Sequence, residues 1–245
     1  MEYTVSNLMT TPLLLFLLIV SPFLAALCVY RARSLFLQSL VVTATGAVLA
    51  AGALLLVPRA PFGLSLAPLS GSCLHGAANG ADFLLLCVIL YFGFKYRHPV
   101  IEALSVMQII VLVVLEVFGS HGKHPADLFY GDNLALMLVM IASIAIAVST
   151  LRLSFIPCLQ DLEDHPELKQ SGRGRFFALL LICLGAFNGV LLSNDMSFFY
   201  FFFESITLCS FLLIAQKGTP AAEKKAVRTL SMTSLAGLVL LLAMT

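Results

Sequence analysis

The chain has 245 residues, of which 60% are hydrophobic and only 11% are charged. Soluble domains contain roughly 45–50% apolar and about 25% charged residues, so a water-soluble fold is excluded because it would have to hide too much apolar surface. The net charge of +1 gives no sign of a nucleic-acid partner, since phosphate binding needs clustered Lys and Arg on an exposed face. The composition therefore predicts an all-α integral membrane protein in contact with the lipid bilayer.

Eight apolar runs are long enough to cross the bilayer as helices. The hydrocarbon core takes about 20 helical residues, and backbone polar groups at that depth must be satisfied within the segment. In chain order the predicted spans are Pro12 to Tyr30, Ser34 to Val57, Ala78 to Phe94, Pro99 to Gly119, Asn133 to Leu151, Phe176 to Leu192, Ser197 to Ala215 and Val227 to Met244. The first run follows Glu2 rather than a basic segment, which favours a retained helix over a secretory signal.

Positive charge is unevenly distributed between the loops that join these spans. Cytoplasmic loops of membrane proteins hold the excess of Lys and Arg. One alternating set of loops holds only Arg59 and Lys123, whereas the other holds Arg31, Arg33, Lys95, Arg97, Arg152, Lys169, Arg173, Arg175, Lys217, Lys224, Lys225 and Arg228. The basic loops are therefore predicted to be cytoplasmic, with the N- and C-termini outside. One omitted helix would reverse the side of every later loop, so this asymmetry also favours the count of eight.

The sequence carries no signature of a bound cofactor. It has no Gly-rich phosphate loop, no iron–sulfur spacing of cysteines and no helical pair of histidines for haem. The six cysteines include no C-x-x-C pair and are interpreted as packing residues. His121 and His124 form an H-x-x-H in a predicted outer loop, which is weak evidence for a metal. We therefore expect no cofactor and no metal in this chain.

Glu204 is predicted to carry the chemistry, because it lies near the middle of the seventh span. A carboxylate at that depth costs roughly 2.5–3.5 kcal/mol on insertion scales, so it normally faces the bundle interior and has a partner. Tyr200 and Thr207 project from about the same helical face and are candidate supporting residues. Two interpretations stay open: a protonated glutamate hydrogen-bonded to a neighbouring helix, and a proton-transfer site.

Other acidic residues, including Asp82 and Asp195, are predicted to lie in loops or near helix ends, where water reaches them. Glu116 is predicted to lie about one turn inside the outer end of the fourth span, at a hydrated depth. Asn188 is predicted to be the only other strongly polar residue at mid-depth. It is either a supporting residue of the site or a hydrogen bond between helices.

Basic side chains at the start of the eighth span are a further candidate feature. Lys225 and Arg228, with Lys224 beside them, precede Ser231 and Ser234 at helical spacing. They are predicted either to form a positive approach to Glu204 or to anchor lipid headgroups.

The residues around Glu204 match a known pattern: Asn194-Asp-Met-Ser-Phe-Phe-Tyr-Phe-Phe-Phe-Glu204-Ser-Ile-Thr-Leu-Cys-Ser-Phe-Leu-Leu-Ile214. This segment resembles the glutamate helix of the antiporter-like, proton-pumping subunits of complex I, multisubunit sodium/proton antiporters and membrane-bound hydrogenases. In that family the acid usually follows Trp, which Phe203 replaces here. The run from Ala221 to Met232 looks closest to the large antiporter-like subunit of energy-converting hydrogenases. Gly131-Asp-Asn-Leu-Ala-Leu-Met looks like the outer-side entry into the family's third helix.

The resemblance covers residue 131 to the C-terminus and implies how the chain is organised. Residues 1–130 would hold the N-terminal helices 1–4, with helices 3 and 4 as an added pair, and residues 131–245 the start of an ion-translocation domain. The family's buried glutamate corresponds to Glu204. Its partner, a buried lysine on a later broken helix, is not among the 245 residues. We expect either that a separate polypeptide supplies it or that the sequence is part of a longer chain.

The function implied is that of a non-catalytic membrane subunit in a redox-driven, proton- or cation-translocating complex of the hydrogenase or complex I type. Glu204 would be its buried protonatable relay, and the complex would lie in the cell (inner) membrane. Expected partners are other membrane subunits, including those with the missing lysine-bearing helices, and peripheral iron–sulfur or hydrogenase-like subunits. The alternative is a non-transporting scaffold or assembly subunit. A stand-alone carrier is disfavoured because no pair of broken helices recurs in the two halves.

Overall fold

The computed structural model of the protein describes residues 2–32, 34–64, 71–118, 127–155 and 171–244. The long helices are α1 (Glu2–Arg31), α2 (Leu35–Leu56), α3 (Gly71–Tyr96), α4 (Pro99–Phe118), α5 (Asn133–Phe155), α6 (Ser171–Leu192), α7 (Met196–Ala215) and α8 (Pro220–Ala243). Between them lie a 3-10 turn at Val57–Arg59 and two short strands, β1 (Phe62–Leu64) and β2 (Phe129–Gly131). His121 and His124 lie outside the described residues.

Within these ranges, eight helices are long and apolar enough to cross a membrane. The predicted class, an all-α multi-pass membrane protein, is confirmed. Helix α2 lies just inside its predicted run, but other helices run further than the apolar runs that predicted them: α8 begins at Pro220 instead of Val227, and α3 begins at Gly71 instead of Ala78. The reason is that hydropathy marks only the lipid-facing middle of a helix, whereas polar turns at its ends carry no such signal. The side of the membrane that each loop faces stays a prediction.

The helices pack as two compact units. Unit 1 comprises residues 1–64 and 130–192 and contains α1, α2, α5 and α6; unit 2 comprises residues 65–129 and 193–245 and contains α3, α4, α7 and α8. Each unit combines two helices from before residue 130 with two from after it. The predicted division at residue 130 rests on the family resemblance and stays a prediction.

In unit 1, α2 packs along α5 and α1 packs along α6. The α2–α5 approach is close because Gly46 has no side chain: a Cβ there would lie 2.8 Å from the carbonyl oxygen of Ser143. Val29, Val42 and Leu181 are fully buried in an apolar cluster of this unit.

In unit 2, each helix packs on two neighbours in turn, in the order α3, α4, α8, α7 and back to α3. The end of this ring near the α3–α4 and α7–α8 connections is filled by an apolar cluster that includes Leu86, Ile101, Phe211 and Leu230. Phe92 packs against Phe211 with ring centroids 4.9 Å apart. Beyond this cluster, toward the middle of the helices, the inward-facing side chains become polar.

Candidate functional site

Glu204 lies at the centre of the polar region of unit 2. Helix α7 begins at Met196, where the side chain of the preceding Asp195 accepts a hydrogen bond from the Ser197 amide. The predicted partners Tyr200 and Thr207 are both buried on the same face of α7 as Glu204, as the helical spacing requires. The exposed fraction of Glu204 is 0%. The carboxyl group therefore faces other helices of unit 2 and not lipid.

Gln108, from the middle of α4, is the side chain that binds Glu204. Its Nε2 donates a hydrogen bond of 2.9 Å to Oε1 of Glu204 and lies 3.4 Å from the hydroxyl oxygen of Tyr200. The Tyr200 hydroxyl is also hydrogen-bonded to the Glu204 carboxyl. One amide and one phenol thus fix the position of the acid.

Helix α8 leaves room for the Glu204 side chain, because it has a glycine, Gly237, at the point of contact. A Cβ built on Gly237 would overlap Oε1 of Glu204 and lie 2.7 Å from Nε2 of Gln108. Any side chain at this position would occupy the volume in which the Glu204–Gln108 hydrogen bond is made. Gly237 is therefore the residue that lets α8 pack directly over the acid.

Asp82, on α3, is a second buried acid of this region. Its exposed fraction is 1%, and its carboxyl group interacts electrostatically with Glu204. The prediction that water reaches Asp82 and Asp195 is wrong. Asp195 is buried as the cap of α7. Asp82 is buried because α3 begins at Gly71, before the predicted start at Ala78, and packs on both α4 and α7.

We define the Glu204 cluster by the buried polar side chains of these four helices together with the glycine that accommodates them. Its members are Asp82, Ser105, Gln108, Tyr200, Glu204, Thr207, Ser234 and Gly237. Asp82 Oδ1, Ser105 Oγ, Gln108 Oε1, Glu204 Oε2 and Ser234 Oγ have no hydrogen-bond partner in the part of the chain that the structure describes. The described residues thus leave five buried polar atoms of the cluster available for further hydrogen bonds.

Asn188 belongs to unit 1. It is fully buried, and its Nδ2 donates a 3.1 Å hydrogen bond to the carbonyl oxygen of Leu18 on α1, which is the predicted cross-helix alternative. The prediction that it is the only other polar residue at mid-depth is wrong, because Gln108 is fully buried there too. The burial of Gln108 could have been predicted from the sequence, because it is an amide at the centre of the fourth span.

Lys225 and Arg228 are exposed near the start of α8. The described contacts of Glu204 do not include either residue. Their exposure favours the lipid-headgroup interpretation over a direct electrostatic role at the acid. Of the predicted polar line on α8, Ser234 alone is buried, one turn before Gly237.

Residues 193–245 match the family model described as NADH:quinone oxidoreductase/Mrp antiporter, TM. The match spans α7, with Glu204, and α8, with Gly237. No curated protein and no solved structure matches the chain. The matched region thus supplies two of the four helices that surround the Glu204 cluster.

Proposed function

We propose that this chain, whose residues 193–245 match the family model described as NADH:quinone oxidoreductase/Mrp antiporter, TM, serves a redox-driven complex that translocates protons or other cations. The match supports a role as one membrane subunit of a multisubunit complex. Its place in a hydrogenase-type or complex I-type assembly rests on the resemblance of the run from Ala221 to Met232. Within this subunit, Glu204 is the buried group that gains and loses a proton.

The burial of Glu204 beside a second carboxyl group, Asp82, is the observation that carries this proposal. A residue that only ties helices together needs a hydrogen bond, which a neutral amide supplies at a lower cost of burial than an acid does. The described Lys and Arg side chains of unit 2 are all exposed, namely Lys95, Arg97, Lys217, Lys224, Lys225 and Arg228. No described cation therefore neutralises the pair from within this unit.

The contacts of Glu204 allow both of its protonation states. Transfer from water to an apolar interior disfavours the charged carboxylate. The two donors, Gln108 Nε2 and the Tyr200 hydroxyl, stabilise that same carboxylate because hydrogen bonds to an ionised group are stronger than those between neutral groups. These opposing effects suit a group that changes its charge when nearby buried charges change.

The test is the variant Glu204→Gln in the assembled complex in its native membrane. The amide keeps the size of the side chain but cannot release a proton at this site. We expect the complex to assemble, as judged by mild-detergent purification and mass spectrometry, and to retain its redox activity. Cation translocation should fall about 10²-fold or more, the range that one positioned proton-transfer group contributes to a rate.

Glu102→Gln is the matched control. Glu102 is another glutamate of unit 2, at the opposite end of α4 from Glu116, where it packs against Gly93. This variant should translocate like the wild type. If Glu204→Gln also translocates like the wild type, Glu204 is a packing residue and the scaffold function replaces the relay.

A further inference from the structure

A line of acidic and amide side chains leads from Glu204 toward one end of unit 2. At that end, Asn79 on α3 donates a hydrogen bond to the carboxylate of Glu116 on α4. Glu116 is exposed. Asp82 follows Asn79 by one helical turn on α3, where it is buried against α7. The line therefore contains three carboxyl groups, those of Glu204, Asp82 and Glu116, and the amide of Asn79.

Depth within the helices orders these groups. With a rise of about 1.5 Å per residue, Asp82 lies about 4.5 Å further along α3 than Asn79, which is hydrogen-bonded to Glu116. By the same rise, Glu204 lies about 12 Å inside the start of α7 at Met196. Glu116 lies at the last turn of α4. The three acids thus lie at three depths, with Glu116 at the surface, Asp82 at intermediate depth and Glu204 at the centre.

The depths of Glu116, Asp82 and Glu204 all increase from the same end of unit 2. The segment before α7 is tied to the segment after α4, because the Asn194 amide donates to Leu128 O and its side chain donates to Asp127 O. Helix α4 therefore ends, and α7 begins, at one end of this unit. Helix α3 begins at that end as well, since its Asn79 contacts Glu116.

The ionisable groups that face Asp82 favour a state in which Asp82 and Glu204 together hold one proton. Helix α3 packs on α4 and α7. From α7, Tyr200 and Glu204 face it. From α4, the ionisable side chains are Glu116, one turn away through Asn79, and Glu102, at the other end of the helix. The described Lys and Arg side chains of unit 2 are all exposed, and two like charges in an apolar interior repel strongly, so we expect Asp82 and Glu204 to exchange protons as a coupled pair.

We propose that Asp82 is a second proton-relay residue, which passes protons between Glu204 and the end of unit 2 where Glu116 and Asn79 are hydrogen-bonded. In one step, the O–H bond of a protonated Asp82 breaks and an O–H bond forms on the Glu204 carboxylate. The Asp82 carboxylate then takes a proton from a hydronium ion at the Glu116 end, which leaves a water molecule. No electron moves in either step, and total charge is conserved. This inference rests on the proposed function of Glu204.

The first measurement is the rate of proton translocation by the intact complex as a function of pH, for Asp82→Asn, Asp82→Glu, Glu204→Gln and the control Glu102→Gln. We expect Asp82→Asn to slow translocation by about tenfold or more and to change its pH profile. Asp82→Glu should restore most of the rate, because it returns the acid. A structural role of Asp82 would leave the pH profile unchanged and would not require an acid for rescue.

The second measurement covers the case in which Asp82→Asn fails to assemble. Infrared spectra of the intact complex report the C=O stretch of protonated carboxyl groups, and Glu204→Gln identifies the Glu204 contribution. In Asp82→Glu, which keeps the charge, we expect the Glu204 band to shift in frequency because its proton-sharing partner has moved.

The two proposals fail in different ways. If Glu204→Gln stops translocation while Asp82→Asn keeps the wild-type rate and pH profile, the role of Asp82 is overturned and that of Glu204 stands. An unmoved Glu204 band in Asp82→Glu likewise overturns the coupling. Wild-type translocation by Glu204→Gln overturns both proposals together.

Discussion

Units 1 and 2 both contain four long helices, yet they bury different kinds of polar side chain. In unit 1 the described buried polar contacts run to backbone carbonyls: Asn188 donates to Leu18, Gln38 to Ala32 and Ser143 to Val139. In unit 2, side chain bonds to side chain, and the carboxyl groups that are buried among the described residues all belong to this unit. Neutral groups suffice to join helices, so the buried acids mark the unit where charge changes.

Gly237→Ala should have the largest functional effect among variants that introduce no new polar group. The added methyl displaces the tips of the Glu204 and Gln108 side chains, which are flexible, so the backbone need not move. A misplacement of about 1 Å at a reacting group costs on the order of 10²-fold in rate. We expect a loss of that size in translocation, with assembly intact.

Gly80→Ala is the matched control for this variant, because a Cβ at Gly80 on α3 meets nothing within 4 Å. Its translocation should equal that of the wild type. Equal rates for Gly237→Ala and Gly80→Ala would mean that the geometry around Glu204 does not matter for transport.

Gly46→Ala should produce the opposite pattern in unit 1. Its Cβ would press on the backbone carbonyl of Ser143, so α2 and α5 must separate. Overpacking of this kind costs about 1–3 kcal/mol. The chain has no Trp, so melting is followed with a thiol-reactive dye that reports exposure of Cys183, a half-buried cysteine on α6 of the same unit.

Gly52→Ala, whose Cβ would only touch a leucine methyl group at 3.4 Å, serves as the control. We expect a lower melting temperature for Gly46→Ala than for Gly52→Ala. Translocation per assembled complex should be unchanged in both. A transport defect in Gly46→Ala without a loss of stability would contradict the division of roles between the units.

Asn188→Leu and Gln108→Leu form the next pair. Each replaces a buried amide by an apolar side chain of similar size. Loss of the Asn188 hydrogen bond to Leu18 should lower stability by about 1 kcal/mol and leave translocation unchanged. Gln108→Leu should also slow translocation, because Glu204 loses its donor. Two identical transport profiles would contradict a specific role for Gln108.

Helix caps give the smallest expected effects. Ser34 caps α2 in unit 1 and Thr219 caps α8 in unit 2, each through a 3.2 Å hydrogen bond from an amide of the first turn. Replacing either by Ala should cost about 0.5–2 kcal/mol, measured by the same melting assay. Neither variant should change translocation, since Thr219 lies more than four helical turns along α8 from Gly237 and Ser34 belongs to unit 1. A transport defect in Thr219→Ala alone would extend the functional region to the start of α8.

The sequence was sufficient for features that depend on one helix at a time. Eight apolar runs predicted the eight spans, and the spacing on one helix predicted that Tyr200 and Thr207 share a face with Glu204. The site also depends on which helices are neighbours, and no periodicity carries that information. The roles of Asp82 and Gly237 could therefore not be predicted from the sequence, because they depend on the packing of α3 and α8 on α7. Gln108 was within reach, since its depth in the fourth span was known.

The most direct test of the account is whether Glu204 changes protonation during turnover. Infrared difference spectra of the assembled complex, recorded before and after its redox reaction is started, report carboxyl groups that gain or lose a proton. We predict carboxylic-acid bands in the difference spectrum of the wild type and of Glu102→Gln, and the loss of the Glu204 contribution to those bands in Glu204→Gln. A difference band that persists unchanged in Glu204→Gln would contradict the assignment of Glu204 as the relay.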